Sequence, residues 1–309
     1  MLLKSNEKTK KKPINKIRVA FIICTITLPL IQWLIFYVYA NLSSFTMAFT
    51  DASGNPSIEN FARFFNEFTM ETSEIRTAFR NTFLTFGILL VAYPFKVLVS
   101  YFIYKKVPGA VVYRVLFFLP SVLFAICTSM MFTRVVGTNG FLAQWIGERM
   151  NLGYTPELLA DDRFANITVL LNMLWLGFPG DLIIWGGTFS RIPEETLEAG
   201  RIDGTTWWTE FSRIIVPMVW PTVSLQMVLL FCGIFGASGN VFLLTRGAYG
   251  TMTLSAWMYI TLLDGSGTNY TSNVYNYLSA VGMLLTVVAV AIALIVRKFT
   301  DKMFDEVEF

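Results

Sequence analysis

Apolar residues gather into six long runs in this chain, at residues 19–40, 78–104, 113–135, 167–189, 219–235 and 274–296. Each reaches or approaches the length of about 20 residues that a helix needs to cross a bilayer. The pattern therefore predicts six transmembrane helices with short polar connections, an all-α polytopic membrane protein. The fifth run is the shortest, and Gly233, Gly236 and Gly239 predict an irregular finish. The first does not read as a cleaved leader, because its apolar stretch is long and Gln32, Trp33 and Tyr37 interrupt it. Between the first two runs, Ile58, Phe61, Phe64, Phe65 and Phe68 share one helical face over residues 57–68, which suits a helix lying in the interface. The segment 137–166 is a second long loop on the same side, mixing Gly, Asn and acids.

Composition agrees with the pattern. Of 309 residues, 54% are hydrophobic and only 15% charged, against about 25% charged in soluble domains. Mean hydropathy is +0.56. Histidine is absent, which removes His-based acid–base catalysis, the common triads and most zinc sites. Cys24, Cys127 and Cys232 lie far apart inside apolar runs and read as small hydrophobes.

The placement of charge sets the topology. Sixteen of the 24 basic residues fall on one side: seven in the tail from Lys4 to Arg18, then Lys105, Lys106, Arg114, Arg191, Arg201, Arg213, Arg297, Lys298 and Lys302. Seven fall on the other side. The positive-inside rule then puts both termini in the cytoplasm of a multi-pass protein of the plasma membrane, in contact with membrane lipids. The basic tail reads as a topogenic signal, and nothing points to nucleic acid.

The connection between the fourth and fifth runs, residues 192–217, is unlike the others. Pro193 suits a helix start, and Glu194, Glu195 and Glu198 favour its N-terminus. Asp203–Gly204 predicts a turn, Thr205 or Thr206 a cap for a second helix, and Pro217 its stop. The first short helix is polar nearly all round, so docking onto a partner is expected to stabilise it. The second carries Trp207, Trp208, Phe211, Ile214 and Ile215 and is expected to tuck under the bundle.

Glu198-Ala199-Gly200, then Gly204, then Ile214-Ile215-Val216-Pro217 has the spacing of the EAA loop of ABC importer permeases, which it resembles; Gly200 and Val216 stand for Ala and Leu. In a helix Gly in place of Ala costs up to about 1 kcal/mol of propensity. Further residues are similar to the sugar (MalF/UgpA/LacF-like) branch: Asn60-Phe61 with Asn81-Thr82, Arg114 with Phe117-Phe118-Leu119-Pro120, Gly137 with Asn139-Gly140 and Leu142, and the run 242–247 with Thr251, Thr253-Leu254 and Tyr259. Ala248 and Tyr249 replace that branch's Gly-Pro.

The resemblance implies a MalF/MetI-like permease fold over residues 19–299, between a basic tail (1–18) and a short cytoplasmic tail (300–309). It implies a sugar or oligosaccharide importer in which this chain pairs with a second, homologous permease. Two ATPase subunits would bind beneath and an extracytoplasmic solute-binding protein above. Glu198, Ala199, Gly200, Asp203 and Gly204 would form the ATPase-coupling site, with Glu198 facing a basic residue of the ATPase. ATP and Mg would belong to that partner; this chain has no GxxxxGK[ST] and needs no cofactor or metal of its own. Glycerol phosphate is an alternative cargo. A channel or secondary transporter would explain the spans but not the Glu-rich helix, and a membrane enzyme lacks catalytic groups.

Two charges fall deep within the spans. Lys96 and Asp181 both lie about 14 Å from the basic side at 1.5 Å per residue, and each would cost about 2.5–3.5 kcal/mol unpaired at mid-span. An ion pair tying the second and fourth spans, a snorkelling Lys96, and a substrate contact all remain open. For the sugar, Phe235, Ser238, Asn240 and Thr245 offer an aromatic face, an amide and hydroxyls; in MalF-like permeases this region lines the central cavity. Capping of an irregular helix end is the competing reading of these four. Trp175 and Trp185 read as packing or interface residues.

Overall fold

The computed structural model describes residues 16–70, 73–236, 240–265 and 271–303, and among them every extended element is helical. Four helices are long and apolar enough to cross a membrane: α1 (Phe21–Ala48), α3 (Glu74–Tyr104), α7 (Ala165–Phe189) and the Asn273–Thr300 part of α13 (Thr271–Thr300). They match the first, second, fourth and sixth runs. Ahead of α3 lies α2 (Glu59–Thr69).

The other two runs are bent. The third, expected as one traverse, divides into α4 (Ala110–Val122) and α5 (Ala125–Val136), and the chain bends by 107° between Ala110–Pro120 and Ala125–Arg149. Leu123 and Phe124 are both extended, three and four residues after Pro120. At the start of the fifth run, α9 (Trp207–Met218), the second loop helix, meets α10 (Trp220–Cys232) across a 75° bend. That helix therefore passes Pro217 and ends one residue later, at Met218, with Val219 as its cap. Gly233 caps α10 and a 3-10 turn, Ile234–Gly236, follows, the irregular finish expected from the glycines; Gly239 lies outside the described residues.

Long polar loops hold the ends together. Asn81 of α3 donates to the carbonyls of Gly250 (2.6 Å) and Met252 (2.8 Å), and Leu254 N–H donates to Thr82 Oγ1 (2.9 Å). These bonds pin the turn before α12 (Leu254–Gly265) against α3. Asn60 donates to Thr50 O at 2.9 Å, and Asn276 of α13 donates to the carbonyls of Thr50 and Asp51. Before α6 (Phe141–Arg149), a Cβ on Gly140 would lie 2.2 Å from the carbonyl oxygen of Val135, so only glycine passes there.

The amphipathic α2 is only partly covered. Phe64 is buried and stacks near Phe68 and Phe79, while Ile58 and Phe65 point outward. α1 is uncovered over most of its length, from Phe21 to Tyr39, and meets α13 through residues 40–48. Bare apolar length of that kind suits lipid or another membrane subunit.

The two largest hydrophobic clusters among the described residues lie at opposite ends. One lies at the end bearing the 192–217 loop and joins Tyr93, Val97 and Tyr101 of α3 to Trp185 and Phe189 of α7. The other, at the opposite end, packs Ile75 and Ala78 against Leu254, Trp257 and Tyr277. Trp185 is completely buried, the packing role expected of it.

Candidate functional site

The loop 192–217 folds as a helix, a turn and a second helix. α8 (Glu194–Ile202) begins after Pro193, which is extended (ψ 130°) and acts as its N-cap, with Glu194 and Glu195 in the first turn where the helix dipole favours them. Gly204 takes φ +74°, the left-handed conformation of a helix end. Thr206, of the two threonines considered, caps the next helix: its Oγ1 accepts from Thr209 N–H at 3.3 Å. Glu198, Ala199, Asp203 and Gly204 are exposed, and Ile202 is 86% exposed.

One expectation needs correction. α8 is not polar all round, because Leu197 and Gly200 are buried against the second helix. A Cβ at Gly200 would lie 2.9 Å from Ile214 Cδ1 and 3.3 Å from Thr205 Oγ1. Thr205 in turn donates to Gly200 O at 2.8 Å. The glycine that looked like a loss of helix propensity thus lets the two helices touch. Its own scaffold, as well as any partner, supports α8.

Beneath this loop lies an anchor that the sequence pattern did not reveal. Glu210 opens a π-helical turn, Glu210–Ile215, and its side chain is 4% exposed. Lys105 Nζ lies 2.5 and 2.6 Å from its two oxygens, and Tyr101 Oη donates to Oε1 at 3.1 Å. A carboxylate one residue before Phe211, on a face otherwise apolar, was the available signal.

The second candidate region is a cavity of about 550 Å³ between α3, α7 and α10. Lys96 Nζ lies 2.9 Å from Asp181 Oδ2 and donates to Gly177 O at 3.2 Å. Of the three readings left open for these charges, contact between them is what the geometry presents. Burial of either charge without the other would be costly, and the contact offsets part of that cost. A Cβ on Gly177 would sit 3.0 Å from Nζ, so the glycine makes room for the ammonium.

Asn240 lines the same cavity and donates to Asn172 Oδ1 at 3.4 Å. Three residues read from separate parts of the sequence, Lys96, Asp181 and Asn240, thus meet on one wall. Tyr93 and Gln226 join them. The Tyr93 hydroxyl and the Asn172 amide nitrogen are buried with no hydrogen-bond partner among the described residues. Leu89, Tyr93 and Lys96 follow the four-then-three spacing of one helical face, a signal that could have found Tyr93.

The remaining candidates lie elsewhere. Phe235 packs its ring against Phe79 and Phe83, with centroids 6.2 and 6.1 Å apart, and belongs to the core. Thr245 turns inward, its hydroxyl 2.6 Å from that of Thr251 and accepting from Gly247 N–H. Arg246 and Tyr249 at φ +52° and +55° reverse the chain tightly enough to close the threonine inside. Neither lines the cavity. Ser238 lies outside the described residues.

No family model matches the chain. Among curated proteins, it is 28% identical over 220 residues to the maltose/maltodextrin transport system permease protein MalF of Vibrio vulnificus, covering 66% of this chain and 40% of that one. It is 23% identical over 279 residues to the multiple sugar-binding transport system permease protein MsmF of Streptococcus mutans, covering 89% of this chain and 93% of that one. The chain therefore spans about two-fifths of the MalF relatives and nearly all of MsmF. Among solved structures it superimposes on a chain of a bacterial ABC transporter involved in the import of the acidic polysaccharide alginate. The TM-score is 0.77 at 20% identity, covering 93% of this chain and 98% of that one. In sequence and in fold, the chain is similar to permease subunits of ABC sugar importers, the family that its 198–217 loop resembles.

Proposed function

We propose that this chain is the membrane-spanning permease subunit of an ABC importer and that its cargo is a sugar or oligosaccharide. Both termini face the cytoplasm of the plasma membrane. A second, homologous permease completes the pore, and two ATPase subunits on the cytoplasmic side bind ATP and Mg and carry out hydrolysis. A solute-binding protein delivers cargo from outside; one solved structure of similar fold is a bacterial alginate ABC transporter in complex with an alginate pentasaccharide-bound periplasmic protein. The permease body runs over 19–299, with short tails at 1–18 and 300–309.

The observation that carries this reading is the exposed edge of α8. Glu198, Ala199, Asp203 and Gly204 point away from the chain, while Gly200 and Leu197 seat the helix on α9. A short helix held so firmly from behind makes a rigid handle, and ATP-driven closure of a docked ATPase dimer would move it as a body. Substrate passes beside the Lys96–Asp181 wall. An ion pair and two amides offer donors and acceptors to hydroxyl groups without a surplus of cation, which suits an uncharged sugar better than a phosphate ester.

The test is co-purification. Glu198→Lys and Gly204→Asp are expected to abolish capture of the ATPase subunits by the tagged permease while leaving its folded yield unchanged. Capture that survives both changes removes the docking role of this loop. Screening maltose, lactose, raffinose and alginate oligosaccharides for stimulation of ATP hydrolysis by the reconstituted complex identifies the cargo.

A further inference from the structure

We propose that Tyr101, Lys105 and Glu210 form the clamp that transmits movement of the coupling loop to the wall of the transport cavity. The clamp rests on the permease reading above and names the residues through which this chain would couple the two ends. Tyr101 and Lys105 stand at the end of α3; Glu210 belongs to the loop's second helix.

The energetics of the clamp favour a positioning role. Phe211 and Ile215, both buried, already hold α9 against α3 and α7, so attachment alone needs no ion pair. A buried pair contributes little net stability against apolar side chains of the same size, but separating it is costly because one charge is left uncompensated. Glu210 has both oxygens against Lys105 and one also against the Tyr101 hydroxyl, and Lys105 Nζ stands 5.6 Å from the centre of the Tyr101 ring. A slide of α9 by one turn along α3 would strand the carboxylate among Tyr101, Phe189 and Phe211. The clamp therefore holds one register and forces α3 to follow the loop. Its place in a π-helical turn adds to the argument, since such turns recur at functional sites.

From the clamp, ring contacts run without interruption to the cavity. Phe211 lies 5.1 Å from Tyr101, Tyr101 6.2 Å from Phe189, Phe189 5.7 Å from Trp185, and Trp185 6.1 Å from Tyr93, centre to centre. Tyr93 lines the cavity next to Lys96 and Asp181. Close-packed rings resist compression and shift together, so displacement at Glu210 reaches the cavity wall.

The test compares hydrolysis with uptake in proteoliposomes holding the complete complex, with binding protein and radiolabelled maltose, lactose or raffinose as probes. In Glu210→Gln and in Tyr101→Phe, which keeps every ring, ATP hydrolysis is expected to persist. Uptake per ATP should fall about tenfold, the size of a typical coupling free energy. Exchanging the charges (Lys105→Glu with Glu210→Lys) is expected to restore the ratio to within about threefold. If hydrolysis and uptake decline together, the three residues are merely structural and the clamp is overturned; an unchanged ratio overturns it too. A wild-type complex with neither hydrolysis nor uptake overturns the permease reading itself, and the clamp with it.

Discussion

Lys96 Nζ stands 2.9 Å from Asp181 Oδ2, joining α3 to α7 in the C-terminal halves of two apolar helices. The side chains are 9% and 20% exposed, so water does little to screen either charge. The same pair forms part of a cavity wall, which gives it a structural and a chemical consequence at once.

Removing one partner leaves the other charged within the bundle. Lys96→Ala and Asp181→Ala are each expected to lower stability by about 3–5 kcal/mol. The double exchange Lys96→Asp with Asp181→Lys should recover part of that loss. Thermal unfolding of the detergent-solubilised protein measures it. Single variants that melt like the wild type would show that the contact ties nothing.

At Gly200 the space behind the coupling helix decides the outcome. Alanine meets the end of the Ile214 side chain, which can rotate, and the Thr205 hydroxyl at 3.3 Å, and gains up to about 1 kcal/mol of helix propensity. Gly200→Ala should therefore keep ATPase capture close to wild type. Gly200→Val should displace α8 and reduce capture strongly, in pull-downs normalised to permease yield. Equal capture by the two variants would contradict the close approach.

Gly140 has no such freedom, because its neighbour is the backbone oxygen of Val135. Gly140→Ala is expected to cost about 1–3 kcal/mol by overpacking. Limited proteolysis should show faster cleavage within 137–149. A protected loop in that variant would rule out the clash.

Asn81 holds two carbonyls of the turn before α12, while Asn166 donates only to that of Gly250, at 3.0 Å. Asn81→Ala leaves the half-buried Met252 carbonyl without this donor and should cost about 1–3 kcal/mol. Asn166→Ala, at a more exposed bond, should cost less. Hydrogen exchange over residues 245–254 distinguishes them, with the larger acceleration expected in Asn81→Ala.

Much of the fold is legible in the sequence because its signals are local. Six apolar runs match four long helices and two bent pairs, and the two-helix loop after Pro193 follows from its caps and its Asp203–Gly204 turn. The Lys96–Asp181 contact is legible for a different reason: two charges at equal depth in neighbouring helices have few other partners. Thr245 and Phe235 do not line this cavity, because residue type shows what a side chain could bind but not which way the backbone turns it. Positive φ at Arg246 and Tyr249 buries the threonine, and the rings of Phe79 and Phe83 draw Phe235 into the core.

By itself, then, the sequence determined where helices begin, which are apolar enough for a membrane, and which loop has the coupling motif's spacing. Those properties depend on neighbours within a turn or two. Only the tertiary structure decided that Glu210 meets Lys105 and Tyr101 from more than a hundred residues away, and that Asn240 shares a wall with Lys96 and Asp181. It also decided that Gly200 serves as a contact surface. Partner choice of this kind is set by how distant helices are forced to pack, and no local pattern contains it.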